Sequence, residues 1–102
     1  MLVFNLKAEW YNKIKSGKKR TEYRLYKDYW TKRVLKEMKA NQDIKKGKIY
    51  PIPCRFVLGY SNCFMDGEIT SIYTIPKAQS DLRYDLSDID KVWAFDFKLK
   101  GE

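Results

Sequence analysis

The run Ser16-Gly17-Lys18-Lys19-Arg20-Thr21-Glu22-Tyr23-Arg24 places four cations and one carboxylate within nine residues. Its glycine permits a tight turn, and the alternation that follows suits a short extended segment from Lys19 to Arg24. Successive side chains on a strand point to opposite faces, so Arg20, Glu22 and Arg24 share one side, and Thr21 and Tyr23 the other. Glu22 can then pair with Arg24 and hold the guanidinium in one orientation. A fixed guanidinium fork with an ammonium beside it suits phosphate oxygens. The candidate ligand-binding residues are therefore Lys19, Glu22 and Arg24, with Gly17, Lys18, Arg20 and Tyr23 around them. Lys19 and Glu22 also form the candidate catalytic pair, a carboxylate base beside a cationic stabiliser. A charged strand edge that resists aggregation would use the same residue types.

Other chemistry is narrowed by what the chain lacks. It has no histidine, which removes Ser-His-Asp and Cys-His catalysis and imidazole metal sites. Cys54 and Cys63, the two cysteines, are spaced neither as a CxxC redox pair nor as a zinc site, and both read as small buried hydrophobes. Asp81, Asp85, Asp88 and Asp90 could offer oxygens to a divalent ion, but such a series reads first as a solvated turn with its caps. No metal and no cofactor are expected. If Glu22 has a second carboxylate partner, Asp66 and Glu68 are the candidates.

Charge supplies the positive clue. The net charge is +8, and it is unevenly spread: residues 1–48 carry 15 basic and 5 acidic side chains (+10), residues 49–102 carry 6 and 8 (−2). A basic half implies a positive face and a polyanionic partner or substrate. Aromatic residues make up 16% of the chain, and Tyr23, Tyr26, Tyr29 and Trp30 interleave with Arg24, Lys27, Lys32 and Arg33. Single-stranded RNA readers stack bases on aromatic faces and hold the backbone with cations. Tyr23 and Tyr29 are the stacking candidates, whereas Tyr26 and Trp30 fall on an apolar helical stripe, and Trp10 and Trp93 are assigned to the core.

The elements that must position these residues are short and alternate in kind. Leu2, Phe4 and Leu6 mark a first strand, and residues 8–16 read as a helix stopped by Gly17. A second helix is predicted from about Tyr26 to Ala40, its buried stripe Tyr26, Trp30, Val34 and Met38 with Leu35 beside them. Residues 41–48 read as a surface loop. Pro51 and Pro53 confine the next strand to a sheet edge or a barrel rim. Strands are predicted at 54–60 and 67–75, joined by 61–66, and a last one at 93–99, where Trp93, Phe95, Phe97 and Leu99 alternate with polar or small residues. Ser87 is placed as the cap of a short helical turn in the acidic stretch 76–90. The expectation is a single α+β domain over 1–102, a small β-barrel of about five strands with two main helices. No apolar run reaches the length of a membrane span and no signal-peptide core opens the chain, so a cytoplasmic address is expected.

Read as G-x-K-x-x-E-x-R, the residues Gly17, Lys19, Glu22 and Arg24 match the fixed positions of the motif typical of ASCH domains, in the PUA-like superfamily. The opening strand, the helix with Trp10 and Ile14, the Gly67-Glu68-Ile69-Thr70 strand and the closing Val92-Trp93-Ala94-Phe95 strand resemble that pattern across nearly the whole chain. The resemblance implies a PUA-like barrel with a cleft holding the motif residues, and RNA or nucleotide binding. Some ASCH-like proteins are hydrolases, a ribonuclease and an amidohydrolase on acylated cytidine among them. In the latter a threonine nucleophile stands where this chain has Glu22, and Thr21 is one place off. The leading expectation is thus RNA or nucleotide binding, with a small hydrolase using Lys19 and Glu22 as the alternative and a protein-interaction domain as the third reading.

Overall fold

A computed structural model describes residues 1–101. The elements run β1 (Leu2–Leu6), α1 (Ala8–Lys15), β2 (Thr21–Leu25), α2 (Asp28–Asn41), β3 (Ile52–Leu58), β4 (Phe64–Pro76), a 3₁₀ turn (Lys77–Gln79) and β5 (Lys91–Leu99). The five strands form one curled mixed sheet in the order β1-β3-β4-β5-β2. Only β1 and β3 are parallel; the other neighbours are antiparallel. The result is an α+β half-barrel with an open seam between its two edge strands, β1 and β2.

Alternation builds the concave face. Leu2, Phe4 and Leu6 are buried while Val3 and Asn5 are exposed, as a strand with one face on a core requires. Phe4 stacks on Trp30 and Phe56, with ring centroids 5.4 and 5.5 Å apart, and meets the edge of Phe95 at 5.1 Å. Offset and edge-to-face ring pairs of this kind stabilise beyond their buried area. Trp30 and Val34 carry α2 onto this cluster and Tyr11 and Ile14 carry α1.

Several local expectations are corrected. β3 is an inner strand, paired with β1 and β4. Pro51 and Pro53 precede Cys54, the first residue with a β1 partner, so the prolines sit at the barrel rim. β4 begins at Phe64, which shortens the connection after β3, and a bulge lies between Ile69 and Ser71. α2 starts only at Asp28, which leaves Tyr26 outside it, exposed and tilted against Trp93 at 5.1 Å. Leu35 points to solvent, and Trp10 and Trp93 are only partly buried. Cys63 is exposed, with its sulfur 3.4 Å from the Tyr11 hydroxyl, while Cys54 is buried. Ser87 caps no helix; its backbone N–H and its hydroxyl both donate to the Asp85 carboxylate.

No described helix is long and apolar enough to cross a membrane.

Candidate functional site

Gly17, at φ +81°, turns the chain out of α1, a conformation that suits a residue without a Cβ at a helix C-terminus. The backbone N–H groups of Lys18 and Lys19 both donate to the Lys13 carbonyl, and the chain then enters β2. There the pairing of Glu22 with Phe95 and of Arg24 with Trp93 fixes the register. Glu22 faces inward and is 3% exposed. Thr21 points the other way and donates to Asp96 at 2.7 Å.

Glu22 links two cations. One carboxylate oxygen lies 3.1 Å from the Lys19 ammonium, and the other accepts from the Arg24 guanidinium at 3.1 Å. The Tyr23 backbone N–H adds a third bond at 3.0 Å. Arg24 also donates to the Asn5 carbonyl of β1 at 3.2 Å, so its side chain spans the open seam of the half-barrel. Its guanidinium lies 5.1 Å from the Trp30 ring centroid and 5.3 Å from that of Phe4. Lys19 bonds Asp81 as well as Glu22, and its ammonium lies 4.7 Å from the Trp10 ring and 5.4 Å from Tyr23. Cations over ring faces in partly desolvated places gain from the ring quadrupole.

These groups line a cleft of about 390 Å³, within the range that small-ligand sites occupy. Its walls are Trp10, Tyr23, Trp30, Leu6, Leu25 and Leu82; Lys7, Lys27 and Asp85 complete the lining. The segment after β4 forms one side. Lys77 ties it down through the Asp85 and Ser87 carbonyls and the Asp85 carboxylate, and the Ser80 hydroxyl closes the turn on the Lys77 carbonyl. Burial, and then the charge of Asp81, raise the Tyr23 phenol above its ordinary value, so it remains a neutral hydroxyl at neutral pH.

Of the residues expected from sequence, Lys19, Glu22, Tyr23 and Arg24 meet in this cleft. Gly17 shapes the turn and is not in the lining of this cleft. Lys18 and Arg20 lie instead in an adjoining basin with Lys13 and Thr21. Asp66 and Glu68 are remote: Asp66 forms a two-pronged pair with Arg55, and both carboxylates line another depression. The second carboxylate on Lys19 is Asp81, while Asp85, also in the lining, is paired with Lys77. Tyr29 lies outside the cleft, with Arg33 stacked over its ring at 4.1 Å. Among the described residues no three Cys, Asp or Glu side chains converge as a metal site would require.

Comparison of the chain with models of protein families, with curated proteins and with solved structures finds no match. The site offers flat aromatic walls, a guanidinium and an ammonium held by carboxylates, and oxygens that can accept from an amine. No serine, threonine or cysteine lines the cleft, so it contains no side-chain hydroxyl or thiol nucleophile other than the Tyr23 phenol.

Proposed function

We propose that this protein is an RNA- or nucleotide-binding module that takes a base into the cleft around Lys19, Glu22 and Arg24. The observation that carries the reading is the Lys19–Glu22–Arg24 chain, with Lys19 and Glu22 buried and Arg24 half-buried, set among Trp10, Tyr23 and Trp30. Aromatic faces supply stacking that any base can use, and oriented donors and acceptors read its edge. Exposed Lys7 and Lys27 at the cleft, with Lys13 and Lys18 beside it, add the cationic field that attracts a phosphate backbone. The resemblance of Gly17, Lys19, Glu22 and Arg24 to the ASCH motif, and the cleft it implies, agree with this reading. The test is the nucleic acid that co-purifies at low salt with the parent and with Arg24→Ala, measured by absorbance and mass spectrometry. RNA or nucleotide retained by the parent and lost by a folded Arg24→Ala is the expected result. Equal recovery from both, or none from either, would overturn it.

A second reading has one observation in its favour. The Glu22 carboxylate and Lys19 ammonium meet in the cleft, so Glu22 could activate a water for hydrolysis of RNA or a modified nucleoside. Turnover abolished by Glu22→Gln with binding retained would establish that reading over the first.

A further inference from the structure

The cleft does not stand alone. A second basin of about 300 Å³ opens beside it, lined by Lys13, Lys18, Arg20 and Thr21. Trp10, Lys19, Tyr23 and Asp81 line both spaces, so the Lys19–Asp81 pair stands at the boundary between them. The two sides differ in charge. In the inner cleft the ammonium of Lys19 and the guanidinium of Arg24 are met by the carboxylates of Glu22 and Asp81, two paired cations against two anions. Of the other charged groups in its lining, Lys7 and Lys27 are exposed to solvent and Asp85 is paired with Lys77. In the outer basin Lys18 is exposed and in no ion pair among the described residues, and Lys13 has only the exposed Glu9 at 3.6 Å.

This balance bears on what each space can hold. A phosphate entering the inner cleft would meet Glu22, which is buried and little screened by solvent, and Asp81, which is partly exposed. Their like charge opposes it, while Lys19 and Arg24 are already engaged by these carboxylates. An uncharged planar ring meets no such opposition and finds aromatic walls. Building on the nucleotide-binding reading above, we propose that Asp81 is a specificity-determining residue. By holding the Lys19 ammonium it completes the balance of the Lys19, Glu22 and Arg24 charges, so that the space between them admits an uncharged base, and the phosphate of the same ligand lodges outside at Lys13 and Lys18. The ligand class is then a phosphorylated nucleoside, free or within a single strand, bound base inward. Asp81 suits this role because its own segment is anchored elsewhere, through Lys77 and Ser80, and does not need the Lys19 contact to close.

Amide ¹⁵N–¹H spectra of the parent, Asp81→Asn and Lys13→Ala/Lys18→Ala test the assignment. The probes are inorganic phosphate, the common ribonucleosides, their 5′-monophosphates and a random-sequence single-stranded RNA. In the parent, phosphate should shift the amides of Lys18 and Arg20 and leave those of Glu22 and Arg24 in place. In Asp81→Asn, phosphate should also shift Glu22 and Arg24 and bind about tenfold tighter or more, because one opposing charge is gone. Should Asp81→Asn not fold, the exposed double variant decides: its affinity ratio of monophosphate to nucleoside should fall about tenfold. Monophosphates as tight as RNA, or RNA tighter, identify the source of the phosphate, and both support the assignment if the shifts fall as stated. Phosphate shifting Glu22 and Arg24 in the parent, an Asp81→Asn protein that treats phosphate as the parent does, or an unchanged ratio in the double variant would overturn it. If no nucleoside, nucleotide or RNA binds the parent, the binding function fails, while the location of inorganic phosphate still decides the role of Asp81.

Discussion

Replacing Glu22 with alanine removes the carboxylate that contacts both Lys19 and Arg24, each at 3.1 Å. At 3% exposure, Glu22 leaves no room for bulk water to take over its role. Deleting one partner of a buried ion pair costs about 3–5 kcal/mol. Here neither cation is stranded completely: Lys19 keeps Asp81, and Arg24 keeps the Asn5 carbonyl. The expected loss is therefore at the low end, about 3 kcal/mol. For a chain of this length that corresponds to a fall in Tm of roughly 12–24 °C. Urea unfolding followed by tryptophan fluorescence, with the slope m unchanged, gives the free energy directly. Glu22→Leu/Arg24→Met offers a control, because replacing both partners of a buried pair with apolar side chains is often neutral or better. The double variant should exceed Glu22→Ala in stability by at least about 1 kcal/mol. A loss under about 0.5 kcal/mol for Glu22→Ala, or a double variant no more stable than the single, would refute the role given to this carboxylate.

Phe4→Ala should cost about 3–5 kcal/mol in urea unfolding, since Phe4 is wholly buried among Trp30, Phe56 and Phe95. Gly67→Ala should cost about 1–3 kcal/mol, because a Cβ there would lie 2.8 Å from the Lys98 carbonyl oxygen; a melt like the parent's would show that the β4–β5 pairing relaxes at no cost. In the native protein a thiol reagent should modify Cys63 alone, with Cys54 reacting only after unfolding. Burial pushes the Cys54 thiol up to about 12, so between its ordinary value near 9 and that point the folded chain keeps a proton that the unfolded chain has lost. Its contribution is complete below about pH 9 and declines as pH rises toward 12, by about 1.4 kcal/mol per pH unit; Cys54→Ala should shallow that alkaline decline.

The sequence made the chemistry-bearing turn and strand legible because their signals are local. Gly17 needs only its own φ, and the period of two from Glu22 to Arg24 is enough to put both on the cleft side and Thr21 on the other. The strands β1 and β5 are legible from equally local alternation, whereas their order in the half-barrel rests on long-range pairing. What escaped notice depends on long-range placement. Asp81 reaches Lys19 across 62 positions of chain, and an aspartate in a polar stretch carries no mark of a distant ammonium. Trp10 and Trp30 show the periodicity of core residues; Trp30 is buried and Trp10 only packs against the core, yet each also lines the cleft, a division that apolar spacing cannot express. Pro51 and Pro53 left a sheet edge and a barrel rim both open, and the rim is the outcome: proline disfavours inner strands only where its missing N–H would be needed, and β1 begins to pair one residue after Pro53. Cys63 reads as buried by residue type, but the tight connection between β3 and β4 puts it at the surface.

In the proposed function, base recognition at Arg24 and backbone attraction by the surrounding lysines are separate contributions. Fluorescence anisotropy of a labelled random-sequence single-stranded RNA, titrated with the parent and with folded Arg24→Ala across a series of salt concentrations, measures both at once. With Lys7, Lys13, Lys18 and Lys27 each neutralising one phosphate, the parent's log–log slope should be about −3. Arg24→Ala should keep that slope and bind about tenfold more weakly, or weaker still, at every salt. A flat salt dependence in the parent, or superimposable isotherms for the two proteins, would contradict the assignment of this cleft.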